Sequence, residues 1–280
     1  MENIIDKMAL IQSIFIDSKE KALSISGLEE LNKSLLKNDT EFISIAFEAA
    51  SMGIAINSIE KSNSLSNWID FYQNYGEIHA AQVHVGLGWA LSELNIEVSL
   101  YLNDLDPFYK YRVVDGYGYY DGKFKRRESV RLQQIPKDLD NFGIRAYNQG
   151  LGRSFWYTAQ GEVEKLTRLI TIFPEERHYD MWRGVGIAVA YVGGVKQLVL
   201  QDVIQNSNKN LNAFKCGIAL ASQTRIVSKA ISEDTEKICQ FVTGLTTEEV
   251  YEKLLQLEKE ACQSSSSIYF DWIKNIEATL

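Results

Sequence analysis

Proline is rare in this chain: Pro107, Pro136 and Pro174 are the three in 280 residues. Proline is the main helix breaker, so the long stretches between them are free to be helical. Cysteine is equally rare. Cys216, Cys239 and Cys262 are odd in number and lack the CxxC spacing of a zinc or redox pair, so reduced thiols in a cytoplasm are expected. The three histidines are His79, His84 and His178. Glu175-x-x-His178 is one half of the paired motif that a di-iron bundle needs; Gly76 and Ala81, three residues before the other histidines, exclude a second half. A standard di-iron site is therefore not expected, and the sequence names neither a metal nor a cofactor. There is no Gly-x-Ser-x-Gly elbow for a serine nucleophile. The longest apolar run, Val185 to Val195, is about half of a membrane span. The first residues carry acidic side chains ahead of any apolar run, unlike a secretory signal. A net charge of −8 argues against nucleic acid or anionic lipid as a partner, since both are bound by surplus Lys and Arg.

What is present is an ordinary globular composition, 45% apolar and 24% charged, in a chain long enough for one large core or two. Helical periodicity dominates. Leu28, Leu31, Leu35 and Leu36 share a face in Leu23 to Leu36, and Phe42 to Ile56 repeats the pattern. Gly76 to Glu93 reads as a first central helix. Asp106-Pro107 is a helix start. Phe142 to Tyr157, Gly161 to Ile172, His178 to Val192 and Leu211 to Ala230 read as further helices. Thr246 and Glu249 form a capping box. Ile268, Trp272, Ile273 and Ile276 then form a stripe that docks on the core or on a partner, after a hinge at Ser264 to Ser267. Two segments alternate in the manner of short strands, Asn95 to Leu102 and Val195 to Val203. The expected fold is mainly α-helical.

An internal echo organises the middle of the chain. Val85-Gly86 and Ala90 recur as Val185-Gly186 and Ala190, one hundred positions on, and Phe42, Ala46 and Phe47 line up with Phe142, Ala146 and Tyr147. An offset of that size is too long for a solenoid unit. It predicts duplicated helical half-domains, residues 41–131 and 132–231, between an N-terminal segment 1–40 and a C-terminal helical appendage 232–280. Gly86, Gly88, Gly184 and Gly186 lie inside helices, where glycine costs about 1 kcal/mol relative to alanine. Close helix packing is the first explanation, and a cavity for a flat apolar ligand the second. Gly116-x-Gly118-x-x-x-Gly122 misses the dinucleotide spacing and follows no clear strand. The basic run Lys123 to Arg131 reads as a solvated connector between the halves.

The chemistry that remains is a set of polar residues embedded in apolar, glycine-rich helices: Glu48, His84, Asp115, Arg153 and Asp180, with Asn148, Arg183 and Arg225 beside them. Buried charges are paired or functional. Ion pairs within the core and a polar constellation between the halves both satisfy that rule.

Several runs in order resemble a known family: Phe47 to Ala55, His84 to Ala90, Asp115 to Tyr119, Gly150 to Trp156 and Trp182 to Ala188. They are similar to the bacterial UnbL-type family, a domain of unknown function named for members encoded in enediyne antibiotic gene clusters. The likeness spans roughly residues 40 to 230. The family pattern carries a His after the central glycine-aromatic run, where Tyr120 stands here. The resemblance implies a role in specialised metabolism, on a polyene or other hydrophobic polyketide-like substrate held between the halves. Glu48, His84, Asp115, Arg153 and Asp180 would then supply acid-base or cation-stabilising groups. A non-catalytic carrier or scaffold for such an intermediate is the alternative, and a second copy or a biosynthetic enzyme the expected protein partner.

Overall fold

The computed structural model describes residues 3–25, 27–230, 232–261 and 268–280. Its helices are α1 (Ile4–Ser24), α2 (Leu28–Leu35), α3 (Ile43–Ser62), α4 (Ser66–Phe71), α5 (Ala80–Glu93), α6 (Lys110–Phe124) and α7 (Asn141–Ala159). They continue as α8 (Val163–Thr171), α9 (Glu175–Val192), α10 (Gln197–Ser207), α11 (Leu211–Val227), α12 (Glu233–Thr243), α13 (Thr247–Ala261) and α14 (Ile268–Thr279). The fold is mainly α-helical, with no strand among the described residues. Neither strand-like segment is a strand. Val98–Leu100 is a single 3₁₀ turn that buries Val98, and Val195 to Val203 runs into α10, where Leu200 and Val203 are buried one helical turn apart. The helical spacing of Leu23 to Leu36 is shared between α1 and α2, which part around Gly27. The Ser264 to Ser267 hinge and Cys262 lie outside the described residues.

Local signals set the ends. The Asn3 side chain accepts from the amides of Ile5 and Asp6 to open α1, and Asp140 accepts from Gly143 to open α7. Asp106 accepts from the amides of Phe108 and Tyr109, and regular helix follows from Lys110. Thr246 and Glu249 form the reciprocal capping box, 3.1 and 2.8 Å, that opens α13. Asn63 at φ 49° ends α3.

Long helices α1, α3, α5, α6, α7, α9 and α11 form the core row, each packed on the next. The contacts between neighbours keep a nearly constant sequence separation along their length. Tyr111 bonds Asp140 near the start of α6 and α7, and Arg126 bonds Thr158 near their ends. Tyr191 and Arg225 do the same for α9 and α11. Constant separation means that the neighbours run parallel. Each pair therefore needs a return segment, which α2, α4, the turns of 94–109 and 125–140, α8 and α10 provide. The row curls back on itself: Arg225 at the end of α11 donates to the carbonyl of Glu41, just ahead of α3.

The glycines hold the row together. Core helices α5, α6, α7 and α9 each carry Gly-x-Gly: Gly86/Gly88, Gly116/Gly118, Gly150/Gly152 and Gly184/Gly186. Each first glycine faces a carbonyl of the preceding core helix, and each second glycine one of the following helix. Gly116 lies against the Val85 carbonyl and Gly118 against that of Tyr147; Gly150 meets Asp115, and Gly152 meets Met181. Gly217 on α11 lies against the Arg183 carbonyl and continues the series. A methyl group at any of these positions overlaps backbone, so close packing accounts for them. From Gly86 the first glycines recur at intervals of 30, 34, 34 and 33 residues. The hundred-residue echo links α5 to α9, three core helices apart in this shorter series, and α6 meets α7 through the same contact as every other pair.

The C-terminal appendage is docked on the core. Tyr269, Phe270, Trp272, Ile273 and Ile276 are buried, with Phe270 stacked 4.9 Å from Phe142 and Trp272 donating to the Leu254 carbonyl at 3.0 Å. By length and composition the helical span Thr40–Ser62 passes the test for a membrane helix, but 89% of its apolar window is buried inside the protein.

Candidate functional site

The curled row encloses a cavity of about 760 Å³, within the range of small-molecule sites. The glycine series predicts its lining. Three residues after each first glycine stand Trp89, Tyr119, Arg153, Ile187 and Leu220, and all five face the cavity. Seven residues after stand Glu93, Lys123, Tyr157, Tyr191 and Thr224, and these line it too. Offsets of three and seven lie on one helix face, so each helix turns its backbone to its neighbours and this face inward. Helix α1 covers one side with Met8, Ile11 and Phe15. An aromatic belt crosses four helices: Phe15 packs 4.5 Å from Trp89, Trp89 4.6 Å from Tyr119, and Tyr119 5.6 Å from Tyr157.

Set into this apolar wall is Glu48 of α3, which is 4% exposed. Burial pushes its carboxyl up to about 7, against the opposing pull of Arg153. No hydrogen bond reaches the Glu48 carboxylate among the described residues. Arg153 lines the cavity and is ion-paired behind it with Asp115. From Asp115 a buried chain of hydrogen bonds runs across three helices. Gln149 Nε2 donates to Asp115, and Arg183 Nε donates to Gln149 Oε1 at 2.6 Å. Arg183 ends the chain on Asp180 and on Glu277 of α14, the latter at 2.7 Å. Asp115, Gln149 and Arg183 each stand one residue before a first glycine, so the chain repeats the register of the helices.

Of the five residues singled out by sequence, the structure brings Glu48, Arg153 and Asp115 together. Asp180 does not line the cavity; it pairs with Arg183 and with Arg145 Nε at 3.1 Å. His84 does not line it either. Its ring stacks on Tyr109 at 5.0 Å and meets Trp68 edge-on at 5.2 Å, and its Nδ1 lies 2.8 Å from the Ala80 carbonyl. Burial pushes its pKa down to about 4, which keeps the ring neutral. Sequence reasoning missed Lys123, Tyr157, Arg112 and Gln82. Lys123 sits at the head of the supposed connector run, yet its amine lies 5.5–6.0 Å from the rings of Phe124, Tyr157 and Tyr119. Burial lowers its pKa. Gln82 donates to Tyr191 Oη at 3.2 Å, while its Oε1 is buried without a partner. Register with the glycines was the signal that could have found Lys123 and Tyr157.

Among the described residues no three of His, Cys, Asp and Glu converge as a metal-ligand set. Glu175 pairs with Lys209, and His178 Nε2 lies 2.7 Å from the Phe173 carbonyl. Cys216 and Cys239 are free and buried.

These features define a class: an all-helical protein whose parallel core helices, joined through glycines, surround an aromatic cavity with one buried acid. Its sequence matches the family described as protein of unknown function DUF1702 over residues 2–280, and the chain belongs to that family. No curated protein and no solved structure matches it.

Proposed function

We propose that the protein takes a long, mostly apolar small molecule into the cavity and acts on it by proton transfer at Glu48. The observation that carries this reading is a carboxyl buried in a ligand-sized aromatic cavity, with a pKa near neutrality and a fixed cation beside it. Such a group gives and takes a proton at working pH. Arg153, held by Asp115, supports negative charge developing on Glu48 or on the bound molecule. Trp89, Tyr119 and Tyr157 give the cavity an aromatic wall, which suits an unsaturated chain or a cationic intermediate. The UnbL-type likeness points the same way, to a polyene or polyketide-like substrate in bacterial specialised metabolism.

Native mass spectrometry of the protein from its own host, followed by extraction, tests this. The wild type and Glu48→Gln should both carry an apolar molecule, and the two molecules should differ by the chemistry that Glu48 performs. The same molecule in both would make the protein a carrier and remove the catalytic reading. If neither carries a molecule nor takes up an apolar fluorescent probe, the cavity is not a ligand site.

A further inference from the structure

Arg153, Arg177, Arg183 and Arg225 have acceptors on their guanidinium groups, although Arg177 Nη2 and Arg225 Nε are buried without a partner. Arg153 has Asp115, and Arg183 has Asp180 and Glu277. Arg225 donates to the carbonyls of Glu41, Ala230 and Tyr191, and Arg177 donates to Asn148. Arg112 differs. It is 7% exposed and lines the cavity, and its guanidinium lies 5.4 Å from the ring of Tyr269. No carboxylate or carbonyl meets that guanidinium among the described residues. Asp115, one turn further along α6, is already taken by Arg153 and Gln149. A guanidinium that faces a cavity with no acceptor on it is a ready seat for an anionic group of a ligand.

The backbone sharpens the point. Because the core helices are parallel, the starts of α5, α6, α7, α9 and α11 share one end of the row, and their positive poles add there. Arg112 lies in the first turn of α6, at that end. Lys123 lies in the last turn, about 16 Å away along the helix, where the carbonyl ends favour a cation. Of the acids that line the cavity, Glu20 and Glu93 lie towards the C-terminal ends of their helices, as Lys123 does, and Glu48 lies nearer the end that holds Arg112.

We propose that the ligand is an amphiphilic carboxylate, its head group on the Arg112 guanidinium and its apolar chain along the aromatic belt towards Lys123. This rests on the reading of the cavity as the ligand site. It adds the chemical class of the ligand and its direction.

Titration calorimetry with dodecanoate, dodecanol and dodecylamine tests it on the wild type, Arg112→Met and Lys123→Met. Thermal unfolding of each variant confirms that it is folded. The wild type should bind the carboxylate about tenfold or more tightly than the alcohol, as a charge-assisted hydrogen bond requires. Arg112→Met should abolish that preference and still bind the alcohol, and Lys123→Met should keep it. Equal binding of carboxylate and alcohol by the wild type would overturn the proposal and leave the apolar cavity standing. A preference lost in Lys123→Met and kept in Arg112→Met would reverse the direction and overturn the assignment to Arg112. Binding of none of the three would remove the cavity reading as well. Should Arg112→Met unfold, Arg112→Gln with the same ligands decides the matter.

Discussion

Replacing Glu48 by Gln should make the protein more stable, and only above a defined pH. The carboxyl titrates near 4.5 in the unfolded chain and at about 7 in the fold. Below about 4.5 it is protonated in both states, and its ionisation then contributes nothing. Between the two values the folded state holds a proton that the unfolded state has released, so stability falls as pH rises through the window. Above about 7 the full difference is lost. A factor of ten in proton affinity is about 1.4 kcal/mol, so the wild type forfeits about 3 kcal/mol across the window. Glu48→Gln is nearly isosteric and cannot ionise. The measurement is urea unfolding of both proteins from about pH 4.5 to about pH 8.5, with the difference taken at each pH. His79 and His84, whose pKa values burial pushes down to about 4, titrate in both proteins and cancel in that difference. The gap should open by about 3 kcal/mol in favour of Glu48→Gln as pH rises. A gap constant with pH would show that Glu48 is not a buried neutral acid, and the proton-transfer reading would go with it.

Other substitutions probe the packing. Gly116→Ala places a methyl group on the Val85 carbonyl and should cost more than about 3 kcal/mol or prevent folding, while Gly244→Ala, with open space around it but φ +78°, should cost about 1 kcal/mol; chemical denaturation separates the two. Glu277→Gln leaves Arg183 buried with one counter-charge fewer and should destabilise by roughly 3 kcal/mol, and a change below about 1 kcal/mol would show that α14 does not complete the buried chain. His84→Ala should lower stability by about 3 kcal/mol through lost ring contacts and leave ligand affinity within twofold; loss of affinity in a folded variant would place His84 at the site after all.

The helical fold was legible because apolar spacing and the rarity of proline act over short distances. Of the cavity, Glu48 and Arg153 were legible as charges in apolar helices. The rest was hidden by the choice of period. Three shorter units carry Gly86 onto Gly184, so its match with Gly186 one hundred residues on is two residues out of the structural register. Gly116/Gly118 comes close to a phosphate-loop spacing in sequence, although the same spacing serves helices in backbone contact. His84 misled because an aromatic stack and a binding wall use the same residue types, and only packing tells them apart. Arg112 carries no mark in sequence. Its interest lies in what fails to meet it, which only coordinates reveal.

The Gly-x-Gly array divides the labour along each helix. Backbone contact is fixed by glycines at two positions, whereas the residues three and seven places on line the interior. Changes at Trp89, Tyr119, Ile187 or Leu220 would reshape the cavity without disturbing any helix crossing. A framework of this kind can diversify. The lesions that destroy it and the substitutions that retune it fall on different positions, so new specificities can arise by single steps through folded intermediates.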